Sequence, residues 1–129
     1  MNRNTKRIDA LIKLGIHLEN YTVENPEFSE LQICVEKAMQ SNGWFTQQAI
    51  ETVFKSWAFA LKKNAIQKWL NTYSLPVKSP KTIALILAGN IPMVGFHDLI
   101  CVWVGGHKAQ IKCASKDEVL LPYMTRFLE

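Results

Sequence analysis

The sequence predicts an α/β fold: a helical N-terminal region over residues 1–75, a linker at 76–80, and the start of a β-α-β-α unit over 81–129. Three observations carry this reading. Apolar residues recur at helical spacing through the first region. The stretch Tyr73-Ser-Leu-Pro76-Val-Lys-Ser-Pro80 cannot continue a helix, because proline lacks the amide hydrogen and clashes with the preceding turn. Beyond it the apolar run Thr82-Ile-Ala-Leu-Ile-Leu87 breaks at Ala88-Gly89-Asn90-Ile91-Pro92. A second apolar run, Gly105-Gly106 and Ala109-Gln-Ile-Lys112 follow, in the order strand, tight turn, helix, strand.

Taken in order, Ile8, Leu11, Ile12, Gly15 and Leu18 share one helical face, and Leu31, Cys34, Val35, Ala38 and Met39 share another. Ser41-Asn42-Gly43 reads as a stop. Thr46 is a suitable N-cap, with Phe45 placed to pack on Ile50 as a hydrophobic staple. A third helix carries Ile50, Val53, Phe54, Trp57, Ala58 and Leu61, and Asn64 is expected to cap a short fourth with Ile66, Trp69 and Leu70. Thr82–Leu87 has the continuous apolar character of a parallel strand covered on both faces. Met93–Val104 is expected to be the crossover helix, with Pro92 near its first turn and a right-handed crossover. Ser115-Lys-Asp-Glu118 matches a capping box that would launch a final helix to about Leu128. Two parallel strands need neighbours, so the chain is expected to be a truncated α/β domain, able to pair an open sheet edge with a second copy.

Composition narrows the function. Of 129 residues, 48% are hydrophobic and 20% charged, which argues against wholesale disorder. The net charge of +4 suits anionic ligands such as nucleotides or coenzyme A. Lys62-Lys63 and Lys78 to Lys81 are too short to form a nucleic-acid face, so no nucleic acid is expected. Cys34, Cys101 and Cys113 are odd in number and widely spaced, which gives neither a disulfide framework nor a zinc site. No signal peptide is evident after the basic start, and cytoplasmic, reduced thiols are the expectation. The weakly charged stretch 83–106 approaches a membrane-spanning length, but Gly89, Asn90, Pro92, His97 and Asp98 interrupt it, so no span is expected.

The residues able to carry chemistry gather after the two strands. Asn90, in the strand-to-helix turn, can offer a carboxamide N–H to a developing oxyanion beside helix N-terminal amides. An Asn there equally suits a left-handed turn or a helix cap. Lys112 ends the second strand and Ser115 opens the next helix. Together they can hold a ribose or phosphate, or can be a solvent-facing Lys and a structural cap. His97 and Cys101, four apart on the apolar helix, read as packing rather than metal ligands, and no metal site is expected. Asp98 is expected to make a polar contact at the helix surface or at a subunit junction. Trp44, Trp57, Trp69 and Trp103 read as core, with base stacking the lesser alternative.

Ile83-Ala-Leu-Ile-Leu-Ala-Gly-Asn-Ile-Pro92, then a helix, Gly105-Gly-His107 and Ile111-Lys-Cys-Ala-Ser-Lys-Asp117, resembles the acyl-CoA reductase family. That family includes the fatty-acid reductase of bacterial bioluminescence and belongs to the aldehyde dehydrogenase superfamily. Asn42-Gly-Trp-Phe-Thr46 and Lys55-Ser-Trp57 resemble the N-terminal region of bacterial members, so the similarity runs from about Asn42 onward. The resemblance implies that residues 81–129 begin an aldehyde dehydrogenase-like cofactor domain. It implies that Asn90 helps form the oxyanion hole for a tetrahedral adduct at a cysteine, and that Lys112 contacts the adenosine ribose. Ser115 stands where many NAD-specific members carry a Glu, and Lys116 is adjacent, which implies NADPH. The implied activity is NADPH-dependent reduction of a fatty acyl thioester, from acyl-CoA or acyl-protein, to the aldehyde. The family's nucleophile lies downstream of this region and corresponds to neither Cys101 nor Cys113, so the chain is expected to be inactive by itself. The alternative reading is a non-catalytic helical protein-interaction module.

Overall fold

A computed structural model describes residues 3–129. The basic N-terminal stretch singled out in the sequence begins with Met1 and Asn2, which lie outside the described residues. Four helices come first: α1 (Arg3–Glu19), α2 (Ser29–Ser41), α3 (Gln47–Ala60) and α4 (Lys63–Leu70), with a 3-10 turn at Pro26–Phe28 before α2. Strand β1 (Thr82–Ile86), helix α5 (Phe96–Val104), strand β2 (Lys108–Lys112) and helix α6 (Leu120–Leu128) complete the chain. The architecture is mixed α/β and mostly helical.

Local chemistry explains most boundaries. Thr46 has extended backbone, and its hydroxyl accepts from the Ala49 amide at 3.0 Å, the N-cap that opens α3. Phe45 and Ile50 on either side of that cap are both buried. Asn64 does not cap α4. The helix starts at Lys63, and the Asn64 side chain only accepts from the next amide, Ala65. Short polar side chains often make such local bonds in place of a cap.

One hydrophobic core joins the two halves. Leu11, Leu14 and Leu18 of α1 meet Ile50 and Phe54 of α3, and the same cluster includes Phe96 and Ile100 of α5 and Leu120 and Met124 of α6. The Trp57 and Phe96 rings meet edge-on at 4.7 Å. The Tyr21 hydroxyl accepts from Gln47 at 2.9 Å and donates to Gln32, tying the end of α1 to α2 and α3. Arg7 donates to the Trp103 carbonyl and lies over that ring at 5.3 Å, which fastens α1 to α5. The linker is also held, through Val77 N–H to Gly105 O and Lys81 N–H to His107 Nδ1, both at 3.0 Å. Gly106 closes this turn at φ +96°, a conformation in which a side chain would be strained.

Strands β1 and β2 pair in parallel, with Thr82 opposite Lys108 and Ile86 opposite Lys112. The expectation of coverage on both faces fails. Along both strands exposure alternates, so Ile83, Leu85, Ala109 and Ile111 face the helices while Thr82, Ala84, Ile86, Lys108, Gln110 and Lys112 face outward. Ile86 is 85% exposed. An apolar outward residue gave the strand the composition of a buried one, yet helices pack on a single side. The tryptophans divide too: Trp57, Trp69 and Trp103 pack against the core as expected, but Trp44 is 81% exposed.

Because Phe96 joins α5 to α3, Phe96→Ala is expected to cost about 3–5 kcal/mol. Far-ultraviolet dichroism and tryptophan fluorescence should still report one shared transition in urea. Separate transitions, or a loss below about 1 kcal/mol, would mean that the halves do not share a core.

Candidate functional site

The crossover helix begins three residues later than expected. Residues 92–95 form a turn, and Met93 takes φ +58°, outside the helical region. A methionine is strained there unless its surroundings hold it. The Met93 amide donates to Asp117 Oδ2 at 3.1 Å, and its carbonyl accepts from Phe96 N–H at 3.0 Å, which starts α5. At the other end of the turn, Asn42 Nδ2 donates to the Gly89 carbonyl at 2.9 Å while its Oδ1 accepts from Trp44 N–H. Asn42 and Asp117 are 4% and 6% exposed and are the buried polar side chains among the described residues. Both are spent on this one turn.

The capping box is absent. Asp117 N–H donates to Ala114 O, residues 115–119 stay non-helical, and α6 starts at Leu120 behind Val119, whose side chain makes no cap. Asp117 is turned inward to take the Met93 amide, and this tight turn replaces the expected first helical turn. Gly89 allows the two strand-end loops to touch: a Cβ there would lie 2.8 Å from the Ala114 Cβ.

The result is an open cleft of about 340 Å³ at the carboxyl ends of both strands, lined by Asn42, Trp44, Gly89, Asn90, Ala114, Ser115 and Lys116. Asn90, Ser115 and Lys116 are therefore brought together. Lys112 ends β2, exposed and outside the lining. Trp44 and Asn42 belong to the site although neither was singled out for it. The run Asn42-Gly-Trp was part of the family resemblance, and that was the available signal. No carboxylate lines the cleft, and Lys116 and the Ser115 hydroxyl stand at its rim. With the exposed indole of Trp44 as a flat wall, the cleft combines an aromatic face with a cationic, carboxylate-free rim, chemistry that suits an anionic ligand. The volume is that of a nucleotide-sized ligand rather than a whole dinucleotide.

Asp117 is the most perturbed group near the cleft. Burial pushes its carboxyl up to about 6 from an ordinary 3.8, partly offset by the Met93 amide. Its Oδ1 has no hydrogen-bond partner. The cysteines do not supply a nucleophile. Cys34 is buried; Cys113 is raised by its burial and by Asp117 and Glu118, and both resist ionisation. Cys101 is exposed on α5, not buried as its place in an apolar helix suggested, and its thiol is raised by partial burial and by Asp98. Its Sγ lies 3.8 Å from His97 Nδ1, and the His97 ring sits 6.4 and 6.2 Å from the rings of Trp57 and Trp69. Among the described residues no group of three or more His, Cys, Asp or Glu could hold a metal ion. Asp98 is exposed in the first turn of α5, where an acid complements the helix dipole.

A larger cleft of about 710 Å³ lies beside the amino end of β2, among Arg3, Arg7, Trp103 and Lys108. It contains none of the strand-end groups. No described helix is long and apolar enough to cross a membrane. No known protein family, curated protein or solved structure matches the chain.

Asp117 gives a signed pH dependence. Between pH 3.8 and about 6 the folded chain keeps a proton that the unfolded chain releases, so raising pH through this window favours unfolding. Asp117→Asn is expected to lack this contribution and to gain on the wild type across that window, by up to roughly 3 kcal/mol at neutral pH. Denaturant titrations of both proteins at several pH values would show it; parallel stability curves would contradict it.

Proposed function

We propose that this chain supplies the cofactor cleft and oxyanion-stabilising turn of an NADPH-dependent acyl-CoA reductase, which reduces a fatty acyl thioester to the aldehyde. One observation supports this above the rest: Asn90, Ser115 and Lys116 line one cleft at the carboxyl ends of two parallel strands, with no carboxylate beside them. Open α/β sheets bind ligands in that position. On this reading Trp44 packs on the adenine, and Ser115 and Lys116 hold the ribose phosphate. Lys112, exposed at the strand end, reaches the ribose from outside the cleft.

The bound cofactor supplies the hydride. Asn90, an exposed residue on the clamped turn, would donate its carboxamide N–H to the thioester oxygen as that atom gains negative charge. A donor held in place before reaction needs no reorganisation when the charge develops. The acyl group, from acyl-CoA or acyl-protein, is taken by a cysteine other than Cys34, Cys101 and Cys113.

The outward sheet face and the exposed Trp44 and Ile86 favour a second reading, a non-catalytic module that docks a partner or a second copy through the open sheet. On that reading adenosine phosphates would not bind.

Calorimetry is the test that separates the two. NADPH is expected to bind more tightly than NADH. Lys116→Glu should weaken NADPH by at least about tenfold, on the order of 1.4 kcal/mol, while leaving NADH nearly unchanged. Equal affinity for both cofactors, or none for either, would defeat the assignment. In a reductase containing this segment, Asn90→Ala is expected to lower kcat roughly 100-fold or more.

A further inference from the structure

The turn that carries Asn90 is held at its far end by a side chain unsuited to a purely structural task. An asparagine at position 117 could accept the Met93 amide without burying a charge. Asp117 when ionised leaves Oδ1 buried and unpartnered, which is costly in a core. Perturbed carboxyls of this kind gather at functional sites. Asp117 also lies directly under the cleft: a Cβ on Gly89 would be 3.7 Å from both its Cβ and its amide nitrogen.

We propose that Asp117 is a positioning residue for the cleft: by accepting the Met93 amide it fixes the left-handed turn that places Asn90, and its protonation state sets how firmly that turn is held. The ligand part of this proposal rests on the nucleotide reading above; the coupling of Asp117 to the turn does not. An ionised carboxylate accepts more strongly than a neutral one, so the Met93 bond tightens as Asp117 loses its proton. The neighbouring titratable groups are Lys116 and Glu118 on the same connection and Cys113 at the end of β2. Residues 88–95 and Asn42 add none. The other end of the turn is fixed by the neutral Asn42 to Gly89 bond, which does not titrate. Protonation therefore loosens one end only, the Met93 end, three residues beyond Asn90.

The experiment is a pH titration of the whole chain by nuclear magnetic resonance, for wild type, Asp117→Asn and Asp117→Ala, with 2′,5′-ADP binding measured alongside. In the wild type the Met93 amide should move downfield with a midpoint near pH 6, and the Asn90 carboxamide and Trp44 indole signals should move with the same midpoint. Asp117→Asn should show none of these titrations yet bind 2′,5′-ADP within about threefold of wild type, because the acceptor remains. Asp117→Ala should bind at least about tenfold more weakly. Should Asp117→Ala fail to fold, the asparagine variant still decides. A Met93 amide that titrates identically in Asp117→Asn would overturn the proposal. So would Asn90 and Trp44 signals that stay fixed while Met93 moves. If 2′,5′-ADP binds none of the proteins, the nucleotide reading falls, and the resonance titrations still judge Asp117.

Discussion

The geometry of the strand ends depends on two buried hydrogen bonds, Asn42 to the Gly89 carbonyl and the Met93 amide to Asp117. Between them the chain passes from extended strand through a left-handed residue into α5. Neither bond belongs to a helix or strand ladder, so the turn has no repeating structure to stabilise it. Removing either partner would leave a buried polar group unpaired, which costs more than the bond itself contributes. Each clamp comes from a different part of the chain: Asn42 terminates α2, and Asp117 lies between β2 and α6. The helical half and the β-α-β-α half therefore converge on the cleft as well as on the core.

The sheet shows what happens when parallel pairing is minimal. Parallel strands are usually buried on both faces. Here β1 and β2 use Ile83, Leu85, Ala109 and Ile111 against the helices and leave a face of Thr, Ala, Ile, Lys, Gln and Lys outside. The inward face is enough to register the strands, because slipping by one residue would bring Lys108 and Lys112 into the core. That registry sets the strand ends level. Loops 87–95 and 113–119 can then touch at Gly89 and Ala114, and the cleft forms where they meet.

Much of this was legible in the sequence. The helical periodicity, the Thr46 cap, both strands and the order of the second half followed from spacing and turn residues. That Asn90 and Ser115 share a cleft followed from their place after parallel strands; Lys112, expected beside them, lies outside the lining, and Lys116 was suggested only by the family resemblance. What was not legible has a common cause: side chains whose fate tertiary contacts decide. Asp117 sits inside Ser-Lys-Asp-Glu, a run that satisfies every local rule for a capping box, and only the distant Met93 amide draws it inward. Met93 carries no sign of a positive φ, since that conformation is imposed rather than preferred. Trp44 was read as core because large aromatics usually are, and nothing near it in sequence reveals that no helix covers it. Ile86 misled in the same way, making a half-covered strand look fully buried. The low exposure of Asn42 was hidden by its ordinary role as a helix stop.

The strand-end cleft, and not the larger cleft near Arg3 and Arg7, is the nucleotide site proposed for this chain. Chemical-shift mapping with 2′,5′-ADP distinguishes the two clefts. Changes are expected to concentrate at Trp44, Gly89 to Ile91 and Ala114 to Lys116, with the Arg7 and Trp103 signals unmoved. Changes centred on Arg3, Arg7, Trp103 and Lys108, or no changes at saturating ligand, would contradict this assignment.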